Sequence, residues 1–322
     1  MEPSPPAHRV ERFRCALAGL WSNADGRIGI AVSGGPDSLS LLLLADAALP
    51  GRIEAATVDH RLRPGSAAEA EFVARICERR TVPHRTLTVE TPPEGSVQAA
   101  ARALRYRLLA QWAQERGLCA IATAHHADDQ AETLLMRLLR GSGLGGLAGI
   151  RAVHSAGGVP VVRPLLAWRR AELEEVAKAA EIAPISDPSN DDERYDRSRI
   201  RRRLRENPWL SPEPLARSAA ALAEAEAALE WSVDRVWGER VRRNGSGYDL
   251  DARALPQELR RRLALRILAA LGAEAPRGEA LQRLLGALAA GGTATLAGVK
   301  GMGGETWRFE PAPPRRASAQ PE

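Results

Sequence analysis

From Arg27 to Ala180 short apolar runs alternate with stretches of helical period, and this alternation restricts the chain to one broad architecture. Arg27-Ile28-Gly29-Ile30-Ala31-Val32 reads as a buried strand, and Ser38 to Ala48 as the helix after it. Ile53 to Val58, Arg85 to Val89 and Leu118 to Thr123 read as further strands. Helical patterns over Ala67–Arg80, Ser96–Arg116 and Asp128–Arg140 separate and follow them, with Val159–Val162 and a helix over Trp168–Ala180 completing the series. Strands that alternate with helices pair in parallel, because each crossover returns the chain to the same edge direction. The predicted fold class is therefore α/β, a parallel sheet covered on both faces, with ligands at the carboxyl ends of its strands.

The texture changes after Pro208. Leu215–Arg243, Pro256–Leu271 and Leu281–Ala290 are helical patterns rich in Ala, Leu, Glu and Arg, followed by a candidate hairpin over Thr293–Glu310. The expected organisation is an N-terminal extension and helix over 1–26, a catalytic domain over 27–207, a smaller, mainly helical domain over 208–310 and a disordered tail over 311–322. No apolar run reaches the roughly 20 residues that span a bilayer, and the Pro-rich start lacks a signal-peptide core, so a cytoplasmic location and no membrane partner are expected. Cys15, Cys77 and Cys119 form no C-x-x-C pair, which speaks against a disulfide framework, a zinc site or an iron–sulfur cluster. The net charge of +5 rests almost wholly on arginine, a side chain whose fork suits phosphates and whose plane stacks on bases.

Ser33-Gly34-Gly35-Pro36-Asp37-Ser38 stands where the first strand hands over to its helix. Glycine lets the backbone approach a ligand, and the helix start aims free N–H groups and a positive dipole end into the loop. That is an anion site of pyrophosphate size. An acid in such a loop repels phosphate unless it caps the helix or works through Mg²⁺, so Asp37 points to metal-bound ATP. No G-x-x-x-x-G-K-[ST] occurs, which excludes the P-loop kinases and GTPases. Asp59-His60 ends the second strand, where polar groups suit adenosine or simply form a loop ion pair. His125-His126-Ala127-Asp128-Asp129-Gln130-Ala131-Glu132-Thr133 follows the fourth strand. On a helix Asp129 and Glu132 share a face, and paired acids near ATP hold Mg²⁺ or grip a cation. The glycine-rich 141–149 segment reads either as a cover for substrate or as a hinge. Asp187-Pro188-Ser189-Asn190 leads into Arg194, Tyr195, Arg197, Arg199, Arg201, Arg202, Arg203 and Arg205, which suit an RNA backbone or a solvated helix face.

The hexapeptide resembles the signature of the PP-loop ATP pyrophosphatases. Taken together with Asp59-His60-x-Leu62-Arg63, Ala101-Arg102-x-x-Arg105-Tyr106, the 125–133 block, the glycine segment, Arg163-Pro164-Leu165-Leu166, Asp187-Pro188-Ser189-Asn190 and Arg197-x-Arg199-Ile200-Arg201, it resembles the tRNA(Ile)-lysidine synthetases over residues 27 to about 205. Ser198 stands where that family often has Asn. The resemblance implies an ATP-dependent ligase that adenylates the C2 oxygen of the wobble cytidine in the CAU anticodon of tRNA(Ile), after which free L-lysine displaces AMP. It implies ATP on Ser33, Gly34, Gly35, Pro36, Asp37, Ser38, Asp59 and His60, with Mg²⁺ on Asp37. Lysine and tRNA then fall to Asp128, Asp129, Glu132, Arg105, Arg197, Arg199 and Arg201. Arg102 and His125 join Asp37, Asp129 and Glu132 as the catalytic set, stabilising charge on the activated cytidine or on AMP. The helical C-terminal part is implied to hold tRNA, and a homodimer is compatible with the sequence. The alternatives are a PP-loop tRNA thiolase, an amide-forming PP-loop synthetase and a non-catalytic RNA-binding protein. The first needs catalytic or cluster-binding cysteines, and the second an amidotransferase partner.

Overall fold

The computed structural model describes residues 3–23, 25–61, 65–89, 97–185, 196–274, 276 and 278–313. Leu62, Arg63, Asp187–Asn190, Arg194, Tyr195 and the tail from 314 onward lie outside the described residues. The chain forms two compact units, Met1–Ala223 and Glu224–Glu322. No helix among the described residues is long and apolar enough to cross a membrane.

The first unit runs α1 (Ala7–Ala18), β1 (Ile28–Ala31), α2 (Pro36–Ala48), β2 (Ile53–Asp59), α3 (Ser66–Arg79), β3 (His84–Thr88), α4 (Val97–Arg116) and β4 (Ala120–Ala122). It continues with α5 (Ala127–Leu139), the short α6 (Leu144–Leu147), β5 (Val153–Ala156), β6 (Val159–Val162), α7 (Arg170–Ala179) and α8 (Asp196–Glu206). The six-stranded sheet has the order β3-β2-β1-β4-β6-β5. Every pairing is parallel except β5 with β6. The order reverses between β1 and β4, so the loops leaving these two strands diverge to opposite sides and open a crevice at their carboxyl ends.

Alternation across the strands builds two cores. Ile28, Ile30, Ile53, Ala55, Ala120, Ala122 and Val162 face α1, α2 and α7. Ala56, Ile121, Val159 and Val161 face the other way, onto Tyr106, Leu109, Trp112 and Ala113 of α4. Helix α2 is apolar all round, with Leu39 and Leu41–Leu44 fully buried. At about 2 kcal/mol for each buried leucine it anchors the loop before it to the core of the unit. Gly29 is required because a Cβ there would lie 2.6 Å from the Trp112 ring. Glu54 is an acid inside a central strand, and it is held by Trp112 Nε1–H at 3.2 Å and Arg116 Nε–H at 2.8 Å.

The second unit has the expected helices and adds a five-stranded antiparallel sheet, of which only the hairpin after Thr293 was expected. Helix α9 (Pro212–Arg240) contains the division between the units and ends three residues before the predicted limit. Residues expected at its end instead start β7 (Val241–Asn244), which turns through Gly245 into β8 (Gly247–Asp251). After α10 (Gln257–Ala270) and α11 (Gly278–Ala289), β9 (Thr293–Leu296), β10 (Val299–Met302) and β11 (Thr306–Pro311) complete an antiparallel sheet ordered β7-β8-β11-β10-β9. Leu250, Val299, Trp307 and Phe309 line the sheet face that packs with Leu263, Ile267, Leu284 and Leu288.

This unit is pinned by a buried arginine. Arg262 makes two hydrogen bonds to Glu226, one to Glu230 and one to Glu258. These contacts carry its pKa further above the ordinary arginine value, with the Glu226 bond the largest cause. Removing one partner of a buried pair leaves the other uncompensated. Arg262→Met is expected to cost about 3 kcal/mol in urea unfolding of the intact chain, and Arg262→Met with Glu226→Gln distinctly less. Equal losses in both variants would show that the charge pairing is not what matters.

Candidate active site

The crevice at the β1/β4 reversal is built from the loops leaving β1, β2, β4 and β6. After β1, Gly34 turns the chain with φ +87°, and its carbonyl accepts Ile185 N–H at 3.1 Å. Pro36 starts α2, and no side chain caps that helix end. The loop braces itself instead. Ser33 N–H donates to Ser38 Oγ at 3.0 Å, and the Ser38 hydroxyl donates to Gly35 O at 3.0 Å. The Ser33 and Ser38 hydroxyls, 3.2 Å apart, thus shape the loop, and what it offers an anion is its backbone N–H groups and the helix dipole.

Asp37 in the first turn of α2 projects toward the β4 loop. Its Oδ2 lies 3.5 Å from His126 Nε2, and Asp129 Oδ2 lies 3.5 Å from the same nitrogen. Asp128 Oδ2 is 3.6 Å from His126 Nδ1. His126 is 3% exposed. Burial alone would lower its pKa, but the three carboxylates outweigh it and raise the value to about 10. The imidazolium therefore gathers Asp37, Asp128 and Asp129 around one cation. Asp129 also caps α5, accepting His126 N–H at 3.1 Å. Asp128 turns away from the crevice and accepts Arg170 N–H at 2.9 Å and Arg169 Nε–H at 3.3 Å. These contacts and His126 hold its carboxyl far below the usual range, although burial pushes it up.

Glu132 and the arginine helix meet. Arg201 Nε–H donates to Glu132 Oε1 at 2.6 Å, and Arg197 Nε–H donates to Oε2 at 2.8 Å. Arg197 Nη2 is also 3.5 Å from Asp129 Oδ1. Both oxygens of Glu132 are thus taken by guanidinium groups of this chain. Arg199 points elsewhere and pairs with Asp196. The arginines of α8 therefore divide into an inward pair, Arg197 and Arg201, and an outward set with Arg199 and Arg203 exposed.

Around the β6 end, Arg102 and Arg105 stand over the Tyr106 ring at 5.1 and 5.3 Å. Burial would raise the Tyr106 pKa, yet Arg105, Arg102 and Arg163 lower it. His125 is pushed well below its ordinary value, first by burial and then by Arg163, Arg105, Arg102 and Arg197. At the β2 end Asp59 accepts Arg61 N–H at 2.9 Å, and His60 is pushed down by burial and by Arg105. His60 Nδ1 is buried without a hydrogen bond among the described residues.

The glycine segment is fastened rather than loose. Arg137 Nη1 donates to Gly146 O at 2.5 Å and Gly149 O at 2.9 Å. The Gln130 side chain brackets Ile150, donating to its carbonyl at 2.8 Å and accepting its N–H at 2.7 Å. Gly149 is needed there, since its φ is +70° and a Cβ would lie 2.3 Å from Gln130 Oε1.

Asp37, Asp128, Asp129, Glu132, Arg197 and Arg201 are thus brought into one linked network, with His125, Arg102 and Arg105 beside it. His126 entered the sequence reading only together with His125, as a contact for base or phosphate, and Tyr106 and Arg163 only as members of motifs. His126 and Arg163 stand just beyond the ends of β4 and β6, whereas Tyr106 lies inside α4 and carried no such signal. For a divalent cation, Asp37 Oδ1 is buried without a hydrogen bond among the described residues, which suits a ligand to Mg²⁺. No set of three or more acids, histidines or cysteines forms a metal cage among the described residues. That fits an ion held by one carboxylate and substrate phosphates.

A family model described as a PP-loop domain matches residues 9–207. The chain is 49% identical over 318 residues to the tRNA(Ile)-lysidine synthase of Novosphingobium aromaticivorans, covering 97% of each chain. It is 47% identical to the tRNA(Ile)-lysidine synthase of Zymomonas mobilis, covering 94% of each. Among solved structures it is similar to the U34-tRNA thiolase NcsA of Methanococcus maripaludis with its [4Fe-4S] cluster. That likeness has a TM-score of 0.55 and 16% identity, and it covers 67% of this chain and 79% of the thiolase, a likeness of fold.

Proposed function

The chain belongs to the tRNA(Ile)-lysidine synthases, and on that premise we propose that it ligates free L-lysine to C2 of the wobble cytidine of tRNA(Ile) with a CAU anticodon, in the cytoplasm, using ATP. The cytidine O2 attacks the α-phosphorus of ATP, and pyrophosphate leaves. The lysine amine then attacks C2 of the adenylated base, AMP leaves with the C2 oxygen, and the amine loses a proton. The observation that carries this reading is the meeting of Asp37 and Asp129 on one His126 nitrogen, each at 3.5 Å. It sets the nucleotide loop of β1 beside the acids of β4, so one substrate is held where the other reacts.

The loop at Ser33–Ser38 holds the phosphates through backbone N–H groups and the α2 dipole. Mg²⁺ would be held by Asp37 and would offset charge on the departing pyrophosphate. Asp59 and His60 stand toward the nucleoside. Asp129 receives the lysine ammonium, because among the described residues Oδ1 meets only Arg197, at 3.5 Å, while both Glu132 oxygens are occupied. Glu132 joins it when Arg197 yields. Arg102, Arg105 and His125 supply positive or donor groups to oxygens that gain charge. The outward Arg199 and Arg203, rather than the inward Arg197 and Arg201, offer α8 to the RNA backbone.

Thiolation is disfavoured by the cysteines. Cys15 hydrogen-bonds Glu11, Cys119 lies against Asn23, and burial pushes the Cys77 thiol up to about 12, the opposite of a reactive thiolate. Incubating tRNA(Ile) with ATP and lysine and weighing the nucleosides by mass spectrometry tests the reading. A lysine-dependent mass gain at the wobble cytidine is expected. Sulfur incorporation, or an unchanged nucleoside, refutes it.

A further inference from the structure

Arg163 is a buried cation without an acid. It is 3% exposed and makes no ion pair among the described residues. Its guanidinium instead donates to three neutral acceptors. Nη1 donates to Arg151 O, Nη2 to Tyr106 Oη at 3.3 Å, and Nε to His125 Nδ1 at 3.2 Å. An uncompensated buried charge is costly to keep, so its retention calls for a use. Each of the three guanidinium nitrogens of Arg163 already donates within the chain, which points to its effect on the groups it holds.

We infer that Arg163 is a positioning residue that fixes His125 as the neutral imidazole with its proton on Nε2, so that His125 presents an N–H donor to the reacting centre. Arginine has no lone pair to offer, so the contact at 3.2 Å makes Nδ1 the acceptor. The Thr123 hydroxyl, 3.0 Å from Nδ1, can donate or accept and so follows the tautomer rather than setting it. The imidazole proton is then confined to Nε2, which makes no hydrogen bond among the described residues. Burial and the positive field of Arg163, Arg105 and Arg102 resist a second proton. A histidine held this way cannot act as a general base through Nδ1, and it does not deliver a proton as an imidazolium. It stabilises an oxygen that gains negative charge by donating a hydrogen bond, without changing its own charge. The same guanidinium fixes Tyr106 under Arg102 and Arg105, so one buried side chain orients both the donor and the cation-bearing ring.

The kinetic part rests on the lysidine-synthase reading, whereas the tautomer does not. The test is nitrogen NMR of the full chain with labelled histidine, His125 being assigned by its loss in His125→Gln. In the wild type at neutral pH, Nδ1 is expected in the unprotonated position and Nε2 in the protonated one. Arg163→Lys keeps a cation but loses the Nε donor. It is expected to give an averaged or altered tautomer and a fall in kcat of about 10²-fold, with KM for ATP near the wild-type value. Thr123→Val is expected to keep the wild-type tautomer. A wild-type His125 protonated on Nδ1 or on both nitrogens overturns the inference, and this reading needs no variant beyond the His125→Gln chain used for assignment. So does an unaltered tautomer in Arg163→Lys, or a switch in Thr123→Val alone. A wild-type tautomer as expected together with no lysine-dependent product sinks the functional reading and leaves this one standing.

Discussion

Asp37→Asn is expected to fold normally and to lose tRNA-dependent exchange of labelled pyrophosphate into ATP by about 10³-fold, close to 4 kcal/mol of transition-state stabilisation. This carboxylate has two separable roles. As a partner of His126 it is one of three, since Asp128 and Asp129 stand 3.6 and 3.5 Å from the same ring. Losing one acid leaves the imidazolium paired, so the melting temperature should move little. As a ligand to a cation on the nucleotide it has no substitute in the loop, where Ser33, Gly34, Gly35, Pro36 and Ser38 carry no charge. Asparagine preserves shape and hydrogen bonding but not the charge that Mg²⁺ needs. Exchange surviving at the wild-type rate would remove Asp37 from the phosphate site. Lost exchange together with a collapsed melting curve would mean that the acid serves the fold.

The parallel sheet was readable because β1 and β4 are buried on both faces and appear as unbroken apolar runs, with β2 close to one but interrupted by Glu54 and Thr57. Edge and hairpin strands carry weaker marks. β5, with Val153 and Ser155 exposed, lacks an apolar face, although Gly157 and Gly158, both at positive φ, are the sign of its turn. β7 was absorbed into the preceding helix because Val241-Arg242-Arg243 continues an Ala/Glu/Arg pattern without a break, and only the sheet partner at Tyr248–Leu250 decides it. The same limit applies in the site. Local spacing placed Asp129 and Glu132 on one helix face, and both are in the network. That Glu132 is occupied by Arg197 and Arg201 depends on a contact across more than sixty residues of sequence, which no local pattern encodes. Arg163 was hidden for a related reason: its chemistry comes from burial with no acid partner among the described residues, and burial of an arginine is not visible in a motif.

That occupied carboxylate decides how the second large effect should be sought. Asp129→Asn is expected to raise the lysine concentration needed for half-maximal ligation by roughly 30-fold, about 2 kcal/mol, while pyrophosphate exchange without lysine stays near wild type. The amide oxygen can still accept His126 N–H, so the α5 cap and the loop it shapes are kept. What disappears is the charge that Oδ1 presents to an ammonium. Glu132→Gln cannot be read so simply. It removes the anion shared by two arginines, and α8 loses its hold on α5 along with any contribution to lysine binding. Its lysine requirement should rise together with a lower melting temperature, whereas Asp129→Asn should show the first effect with little of the second. If Asp129→Asn leaves the lysine requirement unchanged, the ammonium does not bind there, and the pairing with Arg197 becomes the only electrostatic use of that oxygen. If ATP and lysine requirements rise together, the substitution has disturbed the His126 cluster that both sites share, and the separation between them proposed here is wrong.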